Sequence, residues 1–384
     1  MLSRPRSPFD DLDPTAPALR AASLGAEVEG VLERVEPPTR HCGRRCGRVP
    51  NTVYGRDVLT NTPTHRLRTG PNPFGVDPRD DLLHAVPEGV EHWSETMYFH
   101  VWDPHAGAGV FVHVGRWPGD LELWWAQVIA LLPGGELLVD RSWGRAPDDR
   151  GPATGNVRVR CEEPLRRWRL EFDGAGEPTT PARMAEGPVG AGRARSFRFT
   201  VDLEALAPVW DMHGAFGVDA PELGWAAFHH MQGFRTRGTL SVGTDRWPLD
   251  GVGHRDHSSG PRVIAGLGGL HCFVFVFPES GRVVNGLVTW TRNGVVDHRI
   301  ASVQTAGRCL TADAATVTGL GDLATHEPRA LTVTLLGEDG APAVYDATWL
   351  HGYTLSLLEP NENVNGAARD GDADPLLVTQ ATVR

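Results

Sequence analysis

This sequence predicts an all-β protein, with two related β domains behind an irregular N-terminal arm. Three observations predict it. Short segments rich in β-branched and aromatic residues recur from Asp77 onward. Gly, Pro and Asp punctuate them at intervals of roughly 8 to 20 residues, as in antiparallel sheets that form a sandwich or barrel. Helix-length amphipathic patterns are scarce. The length of 384 residues exceeds one ordinary core, which fits two domains. The expected divisions are an arm over 1–75, a first β domain over 76–240 and a second over 241–384.

Within the arm, Pro, Arg and Gly dominate, and Ala18–Val35 is the one short helix expected. His41, Cys42 and Cys46 make HCGRRC, half of a zinc pattern whose second half is missing nearby. The first β domain then supplies strands at Thr96–Trp102, Gly109–Val114, Leu121–Leu132, Glu136–Asp140, Val157–Cys161, Arg167–Phe172 and Ser196–Leu203. WDPHAGAGVFVHVG reads as a hairpin, and the Pro-Gly-Gly after Leu132 turns one long strand back on itself. Asp211–Leu223 reads as a connector with little regular structure. The second run predicts strands at Gly238–Val242, Arg246–Asp250, Leu270–Phe277, Val283–Thr291, Val295–Ser302, Ala330–Leu336, Ala343–Tyr353 and Leu376–Val383.

Composition excludes several functions. The formal charge of −11 and the absence of a basic stripe exclude a nucleic-acid surface. All 37 basic residues are arginine, which a high-GC bacterial coding bias explains. Without lysine there is no Schiff base, no pyridoxal-phosphate enzyme and no lysine-bearing P-loop. Five cysteines suit a reducing compartment better than a disulfide framework. The start, MLSRPRSPFDDLD, is no signal peptide, and no run nears the roughly 18 apolar residues that span a bilayer. A cytoplasmic protein without a transmembrane segment is expected. Its oligomeric state is left open.

Chemistry concentrates between Phe228 and Arg262, where histidine, arginine and aspartate crowd strand-like sequence. On a strand, Arg255 and His257 point one way and Asp256 and Ser258 the other. His229 and His230 likewise face opposite sides, so they cannot both line one cavity. No histidine–carboxylate pair here has metal-ligand spacing on a common face, and no metal is expected. Asp256 is either an ion-paired strand pin or a carboxyl kept protonated by an apolar cavity, and Glu95 has the same ambiguity. GLGGL at 266–270 leads into a strand, so it is a turn and not a phosphate loop. No G-x-S-x-G elbow occurs. Twelve tryptophans, including Trp124, Trp125 and Trp290, supply walls that suit a long apolar ligand or a carbocation.

Three stretches carry a family likeness: WSETMYFHVWDPHAGAGVFVHVGRWPGDLELWWA, CEEPLRRWRLEFDGA, and HHMQGFRTRGTL followed by GVGHRDHSSGPR. From about residue 80 onward the chain resembles the hydroxyneurosporene synthase (carotenoid 1,2-hydratase) superfamily, in its uncharacterised bacterial branch. Fungal decalin-forming Diels-Alderases share that superfamily. The resemblance implies two lipocalin-like β domains with a ligand cavity in or between them. Arg255, Asp256, His257, Ser258 and Gly260 match the family's R-D-H-S-W-G, with Ser259 in place of tryptophan. His229 and Gln232 match H-Y-E-Q, with His230 and Met231 replacing the aromatic and the acid.

The expected function is an enzyme of a hydrophobic unsaturated substrate, terpenoid or polyketide, that needs no cofactor. A protonated carboxyl, Asp256 first and Glu95 second, would protonate an alkene, leading to hydration or cyclisation. His257 or His229 would tune or return the proton. Trp124, Trp125, Trp290, Tyr98, Gln232 and Arg255 would hold the substrate. The alternatives are a pericyclase that folds a polyene and a carrier of lipophilic ligands.

Overall fold

The structure, a computed structural model, describes residues 66–117, 119–186, 193–217, 223–224, 226–263, 267–291, 293–312, 315–318, 321–322, 327–328, 330–336, 342–357 and 376–384. The helix expected over 18–35 and the HCGRRC motif lie outside these residues. A short strand β1 (Arg66–Thr69) comes first, followed by β2 (Trp93–Asp103), β3 (Ala108–Trp117), β4 (Asp120–Leu131) and β5 (Leu137–Asp148). Next come β6 (Gly151–Thr154), β7 (Val157–Glu163), β8 (Arg167–Thr179), helix α1 (Pro181–Glu186) and β9 (Arg195–Ala205). Then β10 (Trp210–Asp211), helix α2 (Met212–Phe216), β11 (Phe228–Val242), β12 (Asp245–Pro248) and β13 (Val252–Pro261) complete the first sheet. Beyond it run β14 (Leu267–Phe277), β15 (Arg282–Thr291), β16 (Val296–Thr305) and β17 (Arg308–Ala312). The described chain ends with β18 (Ala315–Thr318), β19 (Gly321–Asp322), β20 (Glu327–Pro328), β21 (Ala330–Leu336), β22 (Pro342–Leu357) and β23 (Leu376–Val383).

The expected all-β class is what the structure has. Ten antiparallel strands follow the order β11-β13-β2-β3-β4-β5-β6-β7-β8-β9, and pairing of β9 with β11 closes them into a barrel. Closure leaves the barrel without a free edge. A five-stranded sheet, β1-β17-β16-β15-β14, and a four-stranded sheet, β18-β21-β22-β23, accompany the barrel.

Burial along each strand reveals the layering. In β9, Phe197, Phe199, Val201 and Leu203 are buried while Arg198, Thr200, Asp202 and Glu204 face water. That alternation marks a wall with one wet side. β2 has no exposed position along its whole length, because its outer face is covered as well. Phe99, Val101, Val112, Phe172 and Phe199 fill the barrel. Met231 on the barrel's outer face packs with Leu287, Ile300 and Cys309 of the five-stranded sheet. The layers meet closely at Gly233, where an added Cβ would lie 2.7 Å from Val283. A 3-10 turn, Pro78–Asp81, carries Leu82 and Leu83 onto the barrel core.

Some elements depart from expectation. The connector 211–223 contains α2, whose first turn is capped by Asp211 accepting from His213 N at 3.0 Å. The short strands β1, β6, β10 and β17 to β20 depart from the expected strand list; β1 falls in the expected arm and pairs with β17. The barrel also draws in β13, which lies beyond residue 240.

Candidate functional site

Register sorts the side chains of one stretch of barrel wall. β13 pairs with β11 on one side and β2 on the other, matching His257 with His230 and Met97, and Asp256 with Met231 and Tyr98. Residues directly opposite in a ladder share a face. Met97, Phe99 and Phe234 belong to the barrel core, so Glu95, Gln232, Arg255 and His257 also point inward. Met231 packs against the second sheet, so Tyr98, His100, His229, His254 and Asp256 point outward. Adjacent residues of β13 therefore serve two separate clusters.

The inner cluster is saturated. Glu95 is fully buried and its Oε1 accepts from His84 N at 2.9 Å, His84 Nδ1 at 2.8 Å and His257 Nε2 at 2.9 Å. Its Oε2 accepts from Arg116 Nε at 3.0 Å. Burial pushes this carboxyl up, but the hydrogen bonds from His257 and His84 outweigh it and hold the pKa well below the usual range. Arg255, equally buried, donates to Asp81 through Nη1 and lies 4.9 Å from the centre of the Trp168 ring. Asp81 in turn accepts from Leu165 N at 2.7 Å. Gln232 Nε2 donates to Leu165 O at 2.8 Å and Ala207 O at 3.0 Å. These bonds close one end of the barrel over the turn 78–81.

The outer cluster is less tightly enclosed. Asp256 accepts from His229 Nε2 at 2.5 Å, and its side chain keeps 11% exposure. Burial raises the Asp256 pKa, yet the charge and hydrogen bond of His229 prevail and the net shift is downward. The carboxyl is thus anionic at neutral pH, not the protonated acid expected. Tyr98 Oη and His254 Nε2 lie 3.1 Å apart, and both residues are half-buried. Burial lowers His254 to about 4 despite Asp256 nearby, lowers His113 to about 4 and lowers His100 to about 3. It raises the Tyr98 phenol well above its ordinary value. The neutral rings of His254, His113 and His100 and the un-ionised phenol of Tyr98 therefore share a face with the Asp256 carboxylate. Arg262 pins this face by donating to Ser258 O at 2.8 Å and Thr96 Oγ1 at 3.2 Å.

Alongside the outer cluster runs a groove of about 580 Å³ between the barrel wall and strands β14, β22 and β23. Its floor includes His100, Trp102 and His254, and its opposite wall includes Val274, Phe275 and Tyr345. Phe277 and Val344 at the rim are 36% and 54% exposed. Thr382 Oγ1 and His100 Nε2, 2.7 Å apart, tie β23 to the floor.

The ten residues singled out in the sequence thus separate. Asp256, His229 and Tyr98 come together on the outer face. Trp125 lies behind them, edge-on to His113 at 4.8 Å and 1% exposed. Glu95, His257, Arg255 and Gln232 belong to the barrel interior, and so does Trp124, with the Arg116 guanidinium 4.8 Å from its ring. Trp290 packs on His271 and against Gly269. None of these three tryptophans lines the groove, whose one indole is Trp102. Sequence reading passed over His84, His100, His113, Arg116 and Cys272, and left His254 out of the chosen site residues. One signal was present: period two along TMYFHVW sets Tyr98, His100 and Trp102 on a single face.

No helix among the described residues is long and apolar enough to cross a membrane. No curated protein matches the sequence. Two solved structures are similar. One is a provisionally assigned AttH from Nitrosomonas europaea, at 15% identity and TM-score 0.47, covering 76% of this chain and 88% of that one. The other is kievitone hydratase from Nectria haematococca, at 10% identity and TM-score 0.40, covering 67% of this chain and 76% of that one. At these values neither bears on substrate or reaction here. Residues 77–369 match the family described as a domain of unknown function (DUF7064), and the chain belongs to that family.

Proposed function

We propose that the groove takes a hydrophobic unsaturated molecule of the isoprenoid or polyketide class and that the protein catalyses its hydration or cyclisation by proton transfer. One observation carries this reading: an apolar groove whose floor holds two buried or half-buried histidines, His100 and His254. The Tyr98 phenol would deliver a proton to the alkene, a water would add to the resulting cation, and a neutral His254 would take the proton that this water loses and pass it back to the Tyr98 phenolate 3.1 Å away. Asp256 takes a part other than the one expected. As an anion held by His229, it stabilises positive charge developing on the substrate instead of donating the first proton. Phe275 and Tyr345 shield that charge from water and add cation–π attraction. Acid–base catalysis of this kind contributes on the order of 10²–10⁴-fold. The resemblance to hydroxyneurosporene synthase supports the substrate class. The same reading divides the chain after β13, not at residue 240, so that the groove lies between two lipocalin-like units.

A second reading is a protein that only folds or carries a polyene. One observation favours it: histidine partners hold both Glu95 and Asp256 below the usual carboxylate range, which leaves neither suited to donate the first proton. Incubation with a panel of isoprenoid and polyketide polyenes, followed by native and product mass spectrometry, separates the readings. Hydration adds the mass of one water, and His254→Gln abolishes that gain while leaving binding intact. Retention of every probe unchanged, with no new isomer on chromatography, assigns a carrier. Failure of all probes to bind, with the fluorescence of Phe277→Trp at the rim unchanged on their addition, removes the groove from the account.

A further inference from the structure

We infer that His229, Asp256 and Cys272 form a three-ligand site for a thiophilic divalent cation of the zinc class, bridging the barrel and the five-stranded sheet. The inference competes with the part given to Asp256 in the groove reading, since an ion there takes up that carboxylate, and its test needs no lipophilic ligand. His229 and Asp256 come from β11 and β13 of the barrel, and Cys272 comes from β14 of the second sheet. Their ligand atoms all lie within 4.8 Å of one another. A tetrahedral zinc ion with bonds of about 2.0–2.3 Å needs its ligand atoms roughly 3.3–3.7 Å apart, within reach of small side-chain rotations. The set offers one nitrogen, one oxygen and one sulfur, a mixture that zinc accepts and magnesium or calcium does not. Met231 adds a thioether 3.3 Å from the Cys272 sulfur, which reinforces the soft character. The three ligands stand on paired strands, so the backbone positions are fixed before any ion arrives.

A second trio, His84, Glu95 and His257, also has ligand spacing. It is the poorer candidate. Arg116 places a guanidinium on Glu95 Oε2 at 3.0 Å, and three N–H donors already occupy Oε1. A cation there would meet a fixed positive charge and displace satisfied bonds. On binding at the outer trio, Cys272 releases its thiol proton to solvent. His229 binds through Nε2 with its proton moved to Nδ1, and Asp256 exchanges that hydrogen bond for the ion.

Titration of the purified full-length protein with Co²⁺ tests the site. A thiolate-to-cobalt charge-transfer band that saturates at a single equivalent and is displaced by Zn²⁺ is the expected result. Cys272→Ala removes the band. Asp256→Asn weakens Zn²⁺ binding by more than about 100-fold, beyond what outer-sphere changes alone produce. Glu95→Gln leaves both intact. Zn²⁺ also raises the thermal midpoint of the parent protein but not of Cys272→Ala, a readout that needs no activity. Three results overturn the proposal: no thiolate band in a folded protein, a band unchanged in Cys272→Ala, or binding lost in Glu95→Gln alone.

Discussion

His257 and Asp256 are neighbours in sequence, yet the carboxylate–histidine pairs they enter differ in almost every physical respect. Inside the barrel, Glu95 receives four donors and has no exposure left. Outside, Asp256 has His229 as its strong partner and borders half-buried Tyr98 and Cys272. A saturated buried cluster fixes one conformation, whereas a cluster with spare capacity can exchange partners with a ligand or an ion. The matching R-D-H motif therefore divides its labour: Arg255 and His257 belong to the barrel interior, and Asp256 stands on the outer face, the same face as His254 of the groove floor.

The largest expected effect breaks the inner side. Arg255→Leu removes the cation between Asp81 and Trp168 and leaves the Asp81 carboxylate buried beside apolar neighbours. Loss of one partner of a buried pair costs about 3–5 kcal/mol. Urea unfolding followed by tryptophan fluorescence checks it. A cost under about 1 kcal/mol, typical of an exposed pair, would falsify the division between a structural inside and a working outside.

Much of this was legible in the sequence, and what was not has a physical cause. Strand β9 declares its two faces because one of them meets water, so Phe197, Phe199, Val201 and Leu203 read as core at sight. The opposite orientation of residues 256 and 257 follows from the strand period alone. Which face is saturated does not follow, since that depends on partners far away in the chain. Asp81 meets Arg255 across 174 positions, and Thr382 meets His100 across 282. The tryptophans misled for a related reason. Trp124 and Trp125 sit on a strand buried on both sides, where inward and outward residues are equally apolar. The short strands β1 and β17 carry arginine and cysteine among few apolar residues, which hides them from a pattern search.

A change of pH sharpens the comparison, because the buried histidines and the two carboxylates titrate in different windows. His100 is neutral in the fold, with its pKa lowered from 6.5 to about 3, and His113 and His254 are lowered to about 4. Between 6.5 and these values the unfolded chain binds more protons than the native one, so stability falls as the pH drops through that range. For His100 the slope is at most about 1.4 kcal/mol per pH unit. Glu95 and Asp256 have lowered pKa values, so what they contribute is complete above the ordinary carboxylate range and is lost only at more acid pH. Thermal midpoints at closely spaced pH values should begin to fall near pH 6.5, and His100→Asn should flatten the upper part of that fall. A midpoint that holds constant down to pH 4.5 would contradict the burial of these rings.

The smallest effect is the most discriminating. Tyr98→Phe keeps the edge-on contact with His254, whose ring centre lies 5.3 Å away, and the contact with Phe111 at 5.7 Å. It deletes only the hydroxyl that meets His254 Nε2. Inside a dry core, an orphaned ring nitrogen costs about 1–3 kcal/mol. Beside a groove, water takes over the bond and the cost stays below about 1 kcal/mol. The urea midpoint of Tyr98→Phe should therefore lie close to the parent's, while affinity for a bound polyene with a polar head group drops by roughly tenfold, the equivalent of one hydrogen bond. If the midpoint instead fell as far as that of Arg255→Leu, the outer face would be a second sealed core. The neutral histidines along it would then be packing groups, not a working surface.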